Sequence, residues 1–128
     1  HWLEVGKRMT KAPKIFHVNW FKTDGKGQFL WPGFGENLRV LEWILDRCNK
    51  KIEAVKTPIG YLPRHSDIDT TGLELSGGVL EKLLEIDKTD WLEELKGIKK
   101  FFKEFKKDLP DQLWQEYTDL SNRLKAHE

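Results

Sequence analysis

Apolar positions in the second half of the chain recur with the period of an α-helix. Between residues 91 and 109 their spacing alternates four, three, four, three, four, and between 113 and 124 it runs four, three, four. The apolar positions of these two segments are Trp91, Leu95, Ile98, Phe102, Phe105 and Leu109, then Leu113, Tyr117, Leu120 and Leu124. Such spacing places one apolar face along each helix. Pro110, which suits the first position of a helix, separates the segments, so they predict an antiparallel helical hairpin.

Three further helices are predicted by the same periodicity. Residues 2–10 and 79–86 each predict a short helix. Residues 36–49 predict a longer one, with Gly35 as its N-cap. Its apolar face consists of Leu41, Ile44, Leu45 and Cys48. A thiol on such a face is predicted to be buried and unreactive.

The remaining pattern of the first half is typical of β-structure. KIFHVNWF, residues 14–21, is rich in β-branched and aromatic side chains and predicts a strand. TDGKGQ, residues 23–28, has the composition of a hairpin turn, after which residues 29–31 predict the returning strand. Residues 54–62 predict another strand, with an edge position or a bend at Pro58. The whole pattern predicts an α+β fold, in which a small antiparallel hairpin or sheet packs with helices and a helical hairpin follows.

The composition of the 128 residues argues against several classes of protein. The 22 basic and 21 acidic side chains leave a net charge of +1, which does not suit a nucleic-acid binder that relies on bulk charge. The single cysteine cannot form an internal disulfide, so a reducing, cytoplasmic setting is expected. The apolar runs are too short to cross a membrane. The first residues contain neither an initiator Met nor a signal-peptide core, so we expect a processed chain or a fragment.

The stretch FLWPGFGEN, residues 29–37, has glycines that suggest a phosphate-binding loop. Gly33 and Gly35 begin like the glycine-rich fingerprint of dinucleotide-binding proteins, but the third glycine of that motif is missing. A helix N-terminus that follows could meet an anion, whereas Glu36 in its first turn would repel one. These observations disfavour a phosphate loop at this position.

Aromatic rings around the same stretch suggest a stacking platform instead. Flat rings beside an amide, which carries both a donor and an acceptor, are what a purine pocket needs. The residues of this kind are Phe21, Phe29, Trp31, Phe34 and Asn37. Aromatic side chains are more often part of a core than of a ligand site, so the residues alone leave both interpretations open.

No catalytic or metal-binding set is predicted within the chain. The histidines, at positions 1, 17, 65 and 127, lack the spacing of metal ligands. KKFFKEFKK, residues 99–107, resembles a membrane-surface or calmodulin-binding helix. Phe102 and Phe105 continue the apolar face of the helical hairpin, however, so the lysines are better explained as its solvated face.

Four segments in the first half form a specific combination at a specific spacing. They are HVNWF at 17–21, FLWPGFGEN at 29–37, RVLEW at 39–43 and TPIGY at 57–61. In this combination the chain strongly resembles the GTP-dependent phosphoenolpyruvate carboxykinases near their C-terminus. The resemblance implies a C-terminal fragment of a larger mixed α/β nucleotide-binding domain. It divides into a guanine-pocket part at 1–63, a connecting loop at 64–75 and a helical tail at 76–128.

The resemblance also implies a role for each residue of a guanine pocket. By motif position, Phe21 and Phe34 take the two faces of the base. Phe29 closes an edge, Trp20 lines the site and Asn37 hydrogen-bonds the guanine. The glycines of FLWPGFGEN then shape an aromatic clamp rather than hold a phosphate.

The activity that the resemblance implies belongs to a longer enzyme. That enzyme is a decarboxylating lyase of gluconeogenesis, which converts oxaloacetate and GTP to phosphoenolpyruvate, GDP and carbon dioxide. It uses Mn²⁺ at the catalytic centre and a second ion, Mg²⁺, with the nucleotide. The phosphate loop, metal ligands and substrate arginines of the family have no recognisable counterpart here. The isolated chain is therefore expected to be inactive and to depend on the remainder of the parent enzyme.

Two other functions stay open from the sequence. One is a free-standing aromatic groove that binds a peptide or single-stranded nucleic acid. The other is a purely structural fragment whose aromatic rings fill a core. A fragment that exposes apolar surface is also expected to self-associate.

Overall fold

The computed structural model describes residues 1–73, 75 and 77–127. Within these residues, five α-helices and one β-hairpin follow one another. They are α1 (Trp2–Arg8), α2 (Asn37–Cys48), β1 (Val55–Thr57), β2 (Gly60–Leu62), α3 (Val79–Leu84), α4 (Lys88–Glu104) and α5 (Asp111–Ala126). Short 3₁₀ turns occupy Phe34–Glu36, His65–Asp67 and Lys106–Asp108. This mixture of helices and a small antiparallel sheet confirms the α+β class.

Helices α4 and α5 form the helical hairpin that the periodicity predicts. Leu95 of α4 and Leu124 of α5 are buried. Phe102 packs edge-to-face against Trp114, with 5.4 Å between the ring centroids. Aromatic pairs of this geometry add to the free energy gained from burial alone, so they help to join the two helices.

The predicted apolar face of α4 is wrong at its last two positions, Phe105 and Leu109, which lie beyond the end of the helix. The helix ends at Glu104, and Phe105, which follows it, is 43% exposed. The Phe105 ring packs edge-to-face against Phe101, with 5.0 Å between the ring centroids. Lys106, the first residue of the following 3₁₀ turn, has a positive φ of 50°, so the chain leaves the path of the helix there. The helical period therefore stops one position before Phe105.

The strands predicted for residues 14–21 and 29–31 are wrong. Among the described residues, one isolated β-bridge joins Thr23 of the turn to Phe29, and the two predicted strands are otherwise irregular. The side-chain carbonyl of Asn19 accepts the backbone N–H of Phe21 at 2.9 Å. A local side-chain bond of this kind removes a donor that a strand pair would need.

The turn between those segments is confirmed. The carboxylate of Asp24 accepts the backbone N–H groups of Lys26 and Gln28, at 2.8 and 2.9 Å. The backbone of Asp24 also donates to the carbonyl of Gln28 at 2.8 Å. Asp24 thus closes the loop through its own side chain, as aspartate commonly does in turns.

The segment predicted as one strand, residues 54–62, is a tight hairpin. β1 and β2 pair antiparallel, with Val55 opposite Leu62 and Thr57 opposite Gly60. Pro58 lies in the two-residue connection, so the predicted bend is present and the single strand is not. The guanidinium of Arg123 in α5 donates to the Pro58 carbonyl at 2.8 Å, which ties the hairpin to the helical tail.

Helix α2 begins later than predicted and leaves one face open. A 3₁₀ turn over Phe34–Glu36 precedes it, and the chain enters this turn at Gly33, whose φ of 132° favours glycine. Gly35 is therefore inside the turn and is not the N-cap of α2. Cys48 is exposed, which contradicts the predicted buried thiol. No described element covers that face, because Leu41 and Leu45 beside it are exposed as well.

Helices α1 and α3 confirm the two short helices predicted at the chain start and near residue 80. The division at 64–75 stays a prediction. Residues His65–Asp67 of that segment form a 3₁₀ turn. Positions 74, 76 and 128, which belong to the predicted loop and tail, lie outside the described residues.

The chain exposes more surface than a compact protein of its size. Its accessible area is 10330 Å², whereas a compact 15.1 kDa monomer would expose about 7,100 Å². Few of the described side chains are buried. The buried apolar set consists of Trp31, Trp43, Ile68, Leu95 and Leu124. Much of the apolar surface therefore has no cover within the described chain.

Candidate functional site

The hairpin turn closed by Asp24 brings two phenylalanines together. Phe21 and Phe29 flank the turn, with 5.9 Å between ring centroids and 63° between ring planes. Both rings are largely exposed, at 72% and 64%. A flat, apolar ligand can therefore reach them from the solvent without opening a core.

The third predicted ring stands apart from this pair. Phe34 lies in the 3₁₀ turn before α2 and is 91% exposed. Within the described part of the chain it makes no contact with another aromatic ring. The structure therefore brings Phe21 and Phe29 together but does not close Phe34 over them.

A second group of side chains consists of Asn37 and two tryptophans. The indole N–H of Trp31 donates to Oδ1 of Asn37 at 2.9 Å. Trp20, which is half-buried, tilts against Trp31 with 6.0 Å between ring centroids. Trp31 itself is only 7% exposed. Because an indole nitrogen can only donate, the amide oxygen of Asn37 faces Trp31 and the amide NH₂ faces elsewhere.

The sequence pattern did not single out the contact made by Trp31. A strand at 29–31 would place Phe29 and Trp31 on the same face. The chain bends at Leu30 and Trp31 instead, so Phe29 stays in solvent while Trp31 enters the core. The sequence offered one chemical signal for this contact. Trp31, whose indole nitrogen can only donate a hydrogen bond, lies six residues before Asn37, whose amide oxygen can accept one.

Arg39 fixes the start of α2 to a distant loop. Its guanidinium donates to the carboxylate of Glu36 at 2.7 Å. It also donates to the backbone carbonyls of Asp69, at 2.8 Å, and of Thr71, at 3.0 Å. The turn that carries Phe34 is thus joined to residues 69–71 by one side chain. The ion pair with Arg39 offsets the negative charge of Glu36, which would otherwise repel an anion near this turn.

The loop side of this connection carries a perturbed carboxylate. Hydrogen bonds from Thr71, first from its side chain and then from its backbone N–H, lower the pKa of Asp69 below the usual 3.8. The Arg39 guanidinium lowers that pKa further, although it contributes less than Thr71 does. The ionised carboxylate is therefore the form that fits this loop.

Comparison with known proteins decides the family. The model of the phosphoenolpyruvate carboxykinase C-terminal P-loop domain matches residues 1–123. The chain belongs to the GTP-dependent phosphoenolpyruvate carboxykinase family. The resemblance found in the four motifs of the first half is thereby confirmed.

Individual carboxykinases match nearly the whole chain. The proteins named phosphoenolpyruvate carboxykinase [GTP] from Chlamydia muridarum and Thermoplasma volcanium are 45% and 44% identical over 126 and 124 residues. The protein of that name from Corynebacterium jeikeium is 39% identical over 127 residues. These matches cover 97–98% of this chain and 20–21% of each relative. The chain thus spans about a fifth of the length of the carboxykinases that it matches.

The P-loop in the family's description has no counterpart in this carboxykinase segment. The 128 residues contain no Gly-Lys-Ser or Gly-Lys-Thr sequence. Within the described residues, no group of three or more His, Cys, Asp or Glu side chains is placed to hold a metal ion. None of the helices described is long and apolar enough to cross a membrane. The comparisons give no support to a free-standing module for peptides or single-stranded nucleic acid.

Proposed function

We propose that this chain supplies the guanine-recognition part of a GTP-dependent phosphoenolpyruvate carboxykinase. The complete enzyme converts oxaloacetate and GTP to phosphoenolpyruvate, GDP and carbon dioxide, in the cytoplasm. Membership of the family over residues 1–123 is the observation that carries the proposal. An open aromatic pair and an oriented amide, both within residues 21–37, support it, since these groups suit a purine.

Stacking provides the affinity of the proposed site. The guanine lies against the exposed ring of Phe21, and Phe29 borders its edge. Phe34 closes on the opposite face of the base when the nucleotide enters, because its ring is unpacked in the structure. Trp20 lines the site from behind. Stacking of a base on an aromatic ring contributes about 1–3 kcal/mol and does not distinguish guanine from adenine.

The amide of Asn37 provides the choice of base. With its oxygen held by Trp31, its NH₂ group is the part that meets a ligand. Guanine presents the acceptor O6 where adenine presents an amino group, and both bases share the acceptor N7. A donor from Asn37 to O6 therefore favours guanine, whereas it would face another donor in adenine.

The metal chemistry belongs to the rest of the enzyme. The described residues provide no ligand set for Mn²⁺ or Mg²⁺, so this segment does not fit a metal centre. Phosphoryl transfer needs metal ions and cations around the moving phosphate. We therefore expect the isolated chain to be inactive, with the phosphate loop and metal ligands supplied by the remainder of the polypeptide.

The large accessible area supports a place within a larger nucleotide-binding domain. On this proposal, residues 1–63 form the guanine pocket, residues 64–75 connect it, and residues 76–128 form a tail that braces it. The open face of α2 provides a docking surface for the rest of that domain. Its exposed members are Leu38, Leu41, Leu45 and Cys48.

Nucleotide titration of the complete enzyme tests the proposed function. In Phe34→Ala, GTP should bind more weakly by about 1–3 kcal/mol, because one stacking face is lost. Phe101→Ala is the matched control, since Phe101 is also an exposed ring but lies on the helical tail. Calorimetry gives both dissociation constants. Equal GTP affinity in the wild type and Phe34→Ala would contradict the assignment, and a loss of folding stability alone would favour a structural role.

A further inference from the structure

Two buried tryptophans of the first half differ in whether the indole N–H has a hydrogen-bond acceptor. Trp31 is 7% exposed and Trp43 is 6% exposed, so both indoles are removed from solvent. The N–H of Trp31 donates to the Asn37 amide. The N–H of Trp43 has no acceptor among the described residues. Burial alone therefore does not explain the Trp31 contact, which depends on where Asn37 lies.

The contact restricts how the Asn37 amide can face a ligand. Rotating a side-chain amide by half a turn exchanges its oxygen and its NH₂ group with almost no change in shape. In one orientation the oxygen accepts the Trp31 N–H, as observed at 2.9 Å. In the other, two donors would face each other at a buried position, and an unsatisfied buried donor is costly. Trp31 thus selects the first orientation.

We infer that Trp31 is a positioning residue for base selectivity, which acts by holding the Asn37 amide with its NH₂ toward the base. This inference rests on the proposed guanine site. It adds that selectivity is set by a side chain that does not touch the nucleotide. Without the Trp31 N–H, the Asn37 amide can rotate. Its oxygen can then accept a hydrogen bond from the amino group of adenine. Loss of the Trp31–Asn37 hydrogen bond should therefore weaken the binding of GTP and strengthen the binding of ATP.

The decisive measurement compares dissociation constants for GTP and ATP in the complete enzyme. Trp31→Phe keeps an aromatic ring but removes the donor, and we expect the GTP-over-ATP preference to fall on the order of tenfold. Trp43→Phe is the matched control, because it removes an equally buried indole whose N–H has no described partner. Its preference should stay at the wild-type value.

A purely structural role for Trp31 gives a different result. Both nucleotides would then weaken by the same factor, and the preference between them would not change. That outcome would overturn the inference. A second variant covers the case in which Trp31→Phe does not fold. Benzothienylalanine at position 31 keeps the bicyclic shape and replaces N–H by sulfur, so it should also lower the preference.

The same experiment separates this inference from the function on which it rests. Asn37→Ala removes the amide and should lower the preference for guanine. If the wild type shows no preference, or Asn37→Ala retains it, the proposed role of Asn37 fails. If Asn37→Ala lowers the preference for guanine while both Trp31 variants retain it, only the inferred positioning role of Trp31 is wrong.

Discussion

A few side chains of the proposed pocket act on other side chains and not on a ligand. Trp31 holds the amide of Asn37, and Arg39 holds Glu36 together with the carbonyls of residues 69 and 71. A guanidinium can make these bonds at once because its donors have a fixed planar geometry. The orientation of the recognition groups therefore depends on neighbours that are distant in sequence.

The charge state of Asp69 gives a pH prediction for the loop that Arg39 binds. Its pKa is lowered in the folded chain by Thr71 first and then by Arg39. A lowered pKa means that its contribution to stability is complete above the ordinary value of 3.8 and is lost as pH falls through the folded pKa. Carboxyl NMR titration should give a midpoint below 3.8 for Asp69.

The Asp69 side chain is 63% exposed, so the pH effect should be local. Thr71→Val is the informative variant, because it removes the side-chain hydrogen bond and leaves the backbone bond. The Asp69 midpoint should then move upward. A midpoint that is unchanged in Thr71→Val would contradict the stated cause of the shift.

At the scale of elements, the helical hairpin depends on a cap at Asp87, before the first residue of α4. The carboxylate of Asp87 accepts the backbone N–H groups of Thr89 and Asp90, at 2.7 and 3.0 Å. Asp87→Ala should lower the free energy of unfolding by about 0.5–2 kcal/mol, because two N–H groups at the start of α4 lose their acceptor. Denaturant titration measures this loss. Glu94→Ala, an exposed change within α4, should have a much smaller effect.

Helices were predictable from this sequence because their hydrogen bonds are local. The apolar period that ends at Leu124 was sufficient to place α5, whereas the period of α4 failed at Phe105 and Leu109, which lie beyond the end of that helix at Glu104. Strands need a partner, which periodicity does not provide. Residues 14–21 have strand-forming side chains, yet they form no strand with any described residue, and the Thr23–Phe29 bridge lies just outside them.

The residue types of the candidate site were also predictable, but their arrangement was not. The four-motif resemblance selected Phe21, Phe29 and Asn37, and the structure brings the first two into contact. The role of Trp31 depends on a bend at residues 30–31 that no spacing rule predicts. The Arg39 bonds to residues 69–71 join positions about thirty apart. Such contacts are set by tertiary packing.

At the scale of the whole molecule, the uncovered apolar surface predicts association of the isolated chain. Leu45 is 61% exposed in the middle of the open face of α2. A contiguous apolar patch of this kind favours contact with another molecule. Sedimentation velocity of the 128-residue chain should show species larger than a monomer at high concentration. Leu45→Ser should reduce them.

The matched control for that prediction is Val55→Ser. Val55 is also exposed, but it lies on the small hairpin and away from α2. Self-association that persists equally in both variants would show that another surface is responsible. A strictly monomeric wild-type chain would contradict the prediction itself.

The Arg39 bonds have a consequence for engineering. A designer who wished to transplant base recognition into another scaffold would first copy the continuous segment 29–37. That graft would omit Arg39, which holds Glu36, and the carbonyls of residues 69 and 71, which hold Arg39. The smallest transferable unit is therefore discontinuous, and it includes a loop that contributes no side chain to the proposed pocket.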